Sequence, residues 1–68
     1  MKDYQTAIER FLEAADKMLE RGYDRFALGA LEYANDCYKA LGRERGKKVT
    51  ELKKRIAEVK KKLEAQTF

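Results

Sequence analysis

The sequence predicts an all-α protein, an antiparallel three-helix bundle with helices at about 4–21, 24–41 and 47–65. Within each of these three segments, apolar residues recur every three or four positions, a spacing that places them on one face of an α-helix. Glycines 22, 42 and 46 separate the segments, and no proline interrupts them. A chain of 68 residues forms a single small helical domain, 1–68, whose net stability is only about 3–5 kcal/mol.

The first helix has a recognisable signal at each end. Asp3 is the predicted N-cap, because an aspartate there accepts hydrogen bonds from the first free amides. Gly22 follows the helix, and a glycine at this position favours a Schellman ending in which Tyr23 contacts Met18. The residues predicted to face inward are Tyr4, Ala7, Ile8, Phe11, Ala14, Ala15, Met18 and Leu19.

The second helix is apolar on more than one side. Asp24 is its predicted N-cap, which would let Tyr23 and Leu28 form a hydrophobic staple. One apolar stripe contains Ala27, Leu31, Ala34, Tyr38 and Leu41, and a second contains Phe26, Ala30, Tyr33 and Cys37. A helix with so wide an apolar face lies between two neighbours, so we predict that it is the central helix of the bundle.

The third helix has one narrow apolar seam with basic flanks. The seam residues, spaced 3, 4, 3 and 4 apart, are Val49, Leu52, Ile56, Val59 and Leu63. With Val49 at heptad position a, every e and g position is basic: Lys48, Lys53, Arg55, Lys60 and Lys62. Two such helices would repel each other, so this helix docks on a different surface, either the rest of the chain or an acidic partner. Its glutamates are predicted to pair with bases at i+4, Glu51 with Arg55 and Glu58 with Lys62.

Charge is divided unevenly along the chain. Residues 1–42 carry 6 bases and 8 acids, whereas residues 43–62 carry 10 bases and 3 acids. The simplest interpretation is that the acidic front part and the basic back part attract each other in the folded protein.

The segment from Phe11 to Leu41 resembles a tetratricopeptide-type helical hairpin. The residues at the matching spacing are Phe11, Ala14, Ala15, Met18, Gly22, Ala27, Leu31 and Ala34. The small ones, at 15, 27 and 34, would let the two helices cross closely.

Residues 5–64, nearly the whole chain, are also similar to the MIT (microtubule-interacting and trafficking) domain, a three-helix module. The matching segments, in order, are Ala7-Ile8-Glu9, Gly22-Tyr23, Ala27-Leu28 and 52–63. This resemblance implies a groove beside the third helix that binds short tails of other proteins. It places Leu52, Ile56, Val59 and Leu63 near that groove, with Lys53 and Lys60 flanking it.

The composition argues against an enzyme or a metal protein. Cys37 is the single cysteine and the chain has no histidine, which excludes the usual zinc ligand sets and the usual activation of a cysteine nucleophile. Carboxylate pairs such as Glu9 with Glu13 are interpreted as a solvated helix face. The sequence therefore predicts a non-enzyme with no catalytic residue, no cofactor and no metal.

No apolar run is long enough for a membrane span or a signal peptide. We therefore expect a soluble cytoplasmic protein that does not associate with membranes.

The function predicted is that of a protein–protein interaction module, an adaptor or regulator that binds an acidic or amphipathic peptide or helix of a larger protein. Phe26 and Tyr33 are expected to pack against the third helix; left uncovered, they would form an aromatic patch suited to a partner. The candidate partner-binding residues are Phe26, Tyr33, Leu52, Lys53, Ile56, Val59, Lys60 and Leu63.

Two alternatives remain at this stage. The bases of residues 47–62 could bind nucleic acid, although no aromatic residue stands among them to stack on bases. The chain could also self-associate through Phe26 and Tyr33, as a weak homodimer rather than a monomer.

Overall fold

A computed structural model describes residues 3–43 and 45–65, and in these residues it consists of three α-helices without strands. They are α1 (Tyr4–Glu20), α2 (Asp24–Ala40) and α3 (Lys47–Ala65). Both α1 and α3 pack on α2. This confirms the predicted all-α three-helix bundle, with every helix boundary within one residue of expectation. The expected fraying of residues 66–68 lies outside the described residues.

Asp3 caps α1 as predicted. The amide of Thr6 donates to its Oδ1 at 3.1 Å, and the Thr6 hydroxyl donates to its Oδ2. These two hydrogen bonds lower the pKa of the Asp3 carboxyl below its ordinary value, the side-chain bond having the larger effect. The cap therefore stabilises the fold above the carboxyl's unfolded-state pKa, and this contribution is lost as the pH falls through the lowered value.

Both interhelical turns begin with a Schellman ending. After α1, the Tyr23 amide donates to the Met18 carbonyl at 2.8 Å and the Gly22 amide to the Leu19 carbonyl at 3.2 Å. The same pair of bonds ends α2, from Arg43 to Tyr38 and from Gly42 to Lys39. Gly22 and Gly42 have φ of 81° and 73°, a conformation that favours glycine. The first ending was predicted from the sequence.

The N-terminus of α2 differs from the prediction by one residue. Tyr23 is the N-cap, and its carbonyl accepts from the Ala27 amide. Asp24 is therefore the first helical residue and makes no side-chain cap bond. Its side chain turns inward and is only 6% exposed, with the Lys62 ammonium 3.8 Å from its Oδ2. A carboxylate in the first turn is still favoured by the helix dipole, but its specific partner comes from α3.

The core lies on the two sides of α2, as expected for a central helix. Leu31, fully buried, is the largest α2 side chain without solvent contact. The buried apolar residues are Ile8 and Ala15 of α1, Ala27, Ala30, Leu31, Ala34 and Tyr38 of α2, and Val49, Leu52, Ile56 and Val59 of α3. Where α1 meets α2, the buried residues are mostly alanines, so the two helices pack closely along the hairpin. The α3 seam supplies the larger branched side chains of the other interface.

Ion pairs join the acidic front part of the chain to the basic third helix. Arg55 bonds the Asp16 carboxylate on α1, and Lys62 pairs with Asp24 on α2. These bases had been expected to pair with glutamates of their own helix. They reach instead across the bundle, because the g column of α3 faces the acids of α1 and α2. The predicted attraction between the two parts of the chain is thus visible in these contacts.

The pair between Lys62 and Asp24 gives a stability prediction. We expect Lys62→Met to lower the free energy of unfolding by up to about 1 kcal/mol, a small loss because Lys62 is 59% exposed and screened by water. In an Asp24→Asn background the same substitution should have a smaller effect, and urea unfolding of the four proteins measures the difference. Lys61→Met, one residue away on the exposed face, is the control. Equal effects of Lys62→Met in both backgrounds would show that the pair contributes nothing.

Candidate functional site

An apolar groove runs between α1 and α2 on the side of the hairpin that α3 leaves open. It encloses about 370 Å³, and its lining is Phe11, Ala14 and Met18 of α1 and Arg25, Phe26, Gly29, Ala30 and Tyr33 of α2. None of the described residues of α3 contributes to this lining. We call it the aromatic groove.

Phe26 and Tyr33 are the most exposed large apolar side chains of the described residues. They are 69% and 62% exposed. Tyr33 stacks on Phe11 across the groove with ring centres 5.4 Å apart, and Phe26 meets Tyr23 edge-on at 6.1 Å. The expectation that they pack against the third helix is wrong, because α3 covers the side of α2 that carries Leu31. The alternative expectation, an uncovered aromatic patch, describes their surroundings.

Large side chains lie at the two ends of the groove, and small residues lie in its middle. The stacked pair of Phe11 and Tyr33 occupies one end, and Met18 and Phe26 occupy the other. Between them lie Ala14, Gly29 and Ala30. The middle of the groove therefore offers a place where the backbone of another helix can come close.

The rim of the groove is charged. On the α1 side, Arg10, Lys17 and Arg21 are exposed and follow the same row as Ala14 and Met18 at spacings of seven and four. Lys17 has an acidic neighbour, since its ammonium lies 3.7 Å from the Glu13 carboxylate. On the α2 side, Arg25 lines the end nearest the turn.

The α2 rim changes sign along its length. Arg25, Glu32 and Asp36 occur at spacings of seven and four, so they share one row, and all three are exposed. Because the helices are antiparallel, Lys17, Arg21 and Arg25 converge near the turn between α1 and α2. The groove is therefore basic at its turn end, while its α2 rim is acidic at the other end.

The apolar candidates on α3 serve the core. Leu52, Ile56 and Val59 are 3%, 9% and 6% exposed, and Leu63 is half-buried and packs against the same core. Of these four residues, only Leu52 lines a groove beside the third helix, the cleft between α1 and α3 described below. Ile56 and Val59 are buried in the core and expose little surface to a partner, and their predicted role in binding stays a prediction.

Lys53 and Lys60 are both exposed, but they lie away from the aromatic groove. Lys53 borders a small depression with Asn35, Tyr38 and Lys39 at the far side of α2. The structure therefore brings Phe26 and Tyr33 together on one face, and places the two lysines on another.

A second cleft, of about 300 Å³, separates α1 from α3. Its walls are Gln5, Ile8, Glu9 and Leu12 of α1, Tyr38 of α2, and Lys48, Glu51, Leu52 and Arg55 of α3. The bond from Arg55 to Asp16 spans the gap between the same two helices. Its walls mix both charge signs with core residues, which favours the interpretation of a solvated seam between helices that do not pack directly.

The described residues include no group of three or more acidic, cysteine or histidine side chains arranged to hold a metal ion. Cys37 is half-buried on α2 and packs against the core. Among the helices described, none is both long and apolar enough to cross a membrane.

Comparisons with protein-family models, with curated proteins and with solved structures found no match to this chain.

Reasoning from the sequence missed part of the groove. Phe11, Ala14 and Met18 had been interpreted as inward-facing residues, but they are half-buried and form one wall. Arg25 is not among the partner-binding residues predicted from the sequence. It is seven residues from Glu32 and eleven from Asp36, and this spacing would have placed all three on one charged row of α2.

Proposed function

We propose that this protein is a protein–protein interaction module that binds an amphipathic helix in the aromatic groove. The observation that carries this proposal is the exposure of Phe26 and Tyr33 on a groove that the protein's own third helix leaves open. Exposed aromatic side chains that line one apolar groove, as Phe26 and Tyr33 do here, are typical of a surface that a partner covers. A role as a cytoplasmic adaptor or regulator, without catalysis or cofactor, fits this surface.

The shape of the groove favours a helix as the ligand. Its two walls are parallel rows of side chains on antiparallel helices, and the row of an incoming helix fits between them as in a small helical bundle. Apolar side chains of the ligand helix at positions i, i+3 or i+4, and i+7 would contact the aromatic residues at the two ends of the groove. A small residue of the ligand would lie against Gly29, where the two helices come closest.

The rim sets the charge of the ligand. Arg10, Lys17, Arg21 and Arg25 are exposed around the apolar floor. They favour a helix with acidic flanks and speed its association at low salt. The acidic row at Glu32 and Asp36 restricts this preference to the turn end and the α1 side.

A selection from a displayed library of helical peptides tests the proposal. We expect enrichment of amphipathic sequences with acidic flanks, and loss of their capture by the Phe26→Ser variant, which should remain folded because Phe26 is exposed. A double variant, Lys53→Glu with Lys60→Glu, should still capture them. Capture that survives Phe26→Ser and is lost in the lysine variant would contradict the proposal and move the site to α3.

A further inference from the structure

The aromatic groove is complementary to itself. Phe26 and Tyr33 are seven residues apart on α2, and the small residues Gly29 and Ala30 lie midway between them. A two-fold axis that passes between two α2 helices, level with Gly29 and Ala30, therefore brings Phe26 of each copy beside Tyr33 of the other.

We propose that a second copy of this chain occupies the aromatic groove, with the two α2 helices crossing antiparallel at Gly29 and Ala30. This inference rests on the proposed function, since it names the chain that covers the groove: α2 lies on α2 of the second copy, and α1 lies on its α1. The closed two-fold arrangement buries the same patch on both copies, as an isologous interface requires. Phe26 of each copy lies beside Tyr33 of the other, and Met18 beside Phe11.

The charged row of α2 fits the same axis. In an antiparallel crossing centred between residues 29 and 30, Arg25 of one copy lies opposite position 34 of the other. It is then about 3 Å along the helix axis from both Glu32 and Asp36, at a rise of about 1.5 Å per residue. The sign change along the rim thus pairs base with acid at both ends of the interface.

The contacts of the described residues do not explain a glycine at position 29. It lies in the interior of α2, where glycine weakens a helix relative to alanine. A Cβ added at Gly29 would meet no atom within 4 Å outside its own helix backbone. No close contact of the single chain therefore needs a glycine here, whereas the close approach of a second α2 does.

The apolar residues of the first helices fit the arrangement as well, whereas their basic rims, with Arg10, Lys17 and Arg21, face each other and oppose it. The contact of Phe11 with Tyr33 places Ala14 level with Gly29 and Ala30, so another small residue lies near the axis. Both α3 helices lie on the outer sides of the dimer, away from each other. The repulsion between their basic flanks, which disfavours pairing through α3, is thereby kept small.

Sedimentation velocity over a concentration series measures the dimerisation of charge-reversal variants and so tests the proposal. We expect a monomer–dimer equilibrium that Arg25→Glu weakens by about tenfold or more, because the two-fold axis duplicates each lost contact and reversal makes it repulsive. A triple variant, Arg25→Glu with Glu32→Arg and Asp36→Arg, should restore the dimer. Lys54→Glu, the same charge change on the exposed face of α3, should leave it unchanged.

Gly29→Ala separates the interface from the fold. We expect this variant to melt at a higher temperature than the wild type when dilute, while its dimer is weaker. A wild-type chain that remains monomeric when concentrated, or a dimer indifferent to both Arg25→Glu and Gly29→Ala, would overturn the proposal. Should the monomer still capture the selected peptides through Phe26, the proposed function stands and the groove receives a foreign helix.

Discussion

Leu31→Ala should lower the free energy of unfolding by about 3 kcal/mol, which is most of the stability that a domain of this size possesses. Leu31 is 0% exposed and lies on the central helix within the core cluster to which α1 and α3 both contribute. The cavity left by the substitution would therefore weaken the contacts of α2 with its neighbours, and small domains have little further core to compensate. Urea or thermal unfolding followed by circular dichroism measures the loss.

Leu41→Ala is the matched control for this substitution. Leu41 belongs to the same predicted stripe, but it follows the end of α2 and is exposed. We expect its replacement to change the free energy of unfolding by about 0.5 kcal/mol or less. Equal losses at Leu31 and Leu41 would contradict the placement of Leu31 in the core and of Leu41 at the surface.

Ala34→Leu should destabilise the protein by about 1–3 kcal/mol through overpacking. Ala34 is fully buried, as are Ala15 and Ala27, and the hairpin can close only if these side chains remain small. The larger side chain would force α1 away from α2 or into strained rotamers. It would also widen the aromatic groove, so binding through Phe26 and Tyr33 should weaken in the fraction that stays folded.

Ala57→Leu makes the same change on the exposed face of α3 and should be nearly neutral. Thermal melts of the two variants give the comparison. If Ala34→Leu melted at or above the wild-type temperature, the close approach of α1 and α2 would be refuted.

Most of the fold could be predicted from local signals. Gly22 fixes the Schellman ending of α1, Asp3 supplies a cap with a definite hydrogen-bond partner, and the apolar period sets the length of each helix. These features depend on residues a few positions apart, so the sequence determines them directly. The central position of α2 also followed, because its apolar face is wider than one neighbour can cover.

The candidate site was harder to predict, because it depends on which side of α2 receives the third helix. The stripes through Leu31 and through Tyr33 differ by a rotation about α2, and either could have packed against α3. The choice is reflected in long-range contacts, with Arg55 bonding Asp16 and Lys62 facing Asp24. Such pairs compete with the local pairs at i+4, and spacing on one helix does not reveal which will form.

We expect the groove between α1 and α2 to be the contact surface of this protein. Nitrogen-15 NMR of the labelled protein tests it most directly, by following backbone amide shifts as either the protein concentration or a selected peptide is raised. We predict that the largest shifts cluster at Phe11, Phe26, Gly29 and Tyr33, while the amides of Lys53 and Lys60 stay in place. Shifts confined to α3, with the groove unchanged, would place the contact surface on α3 instead.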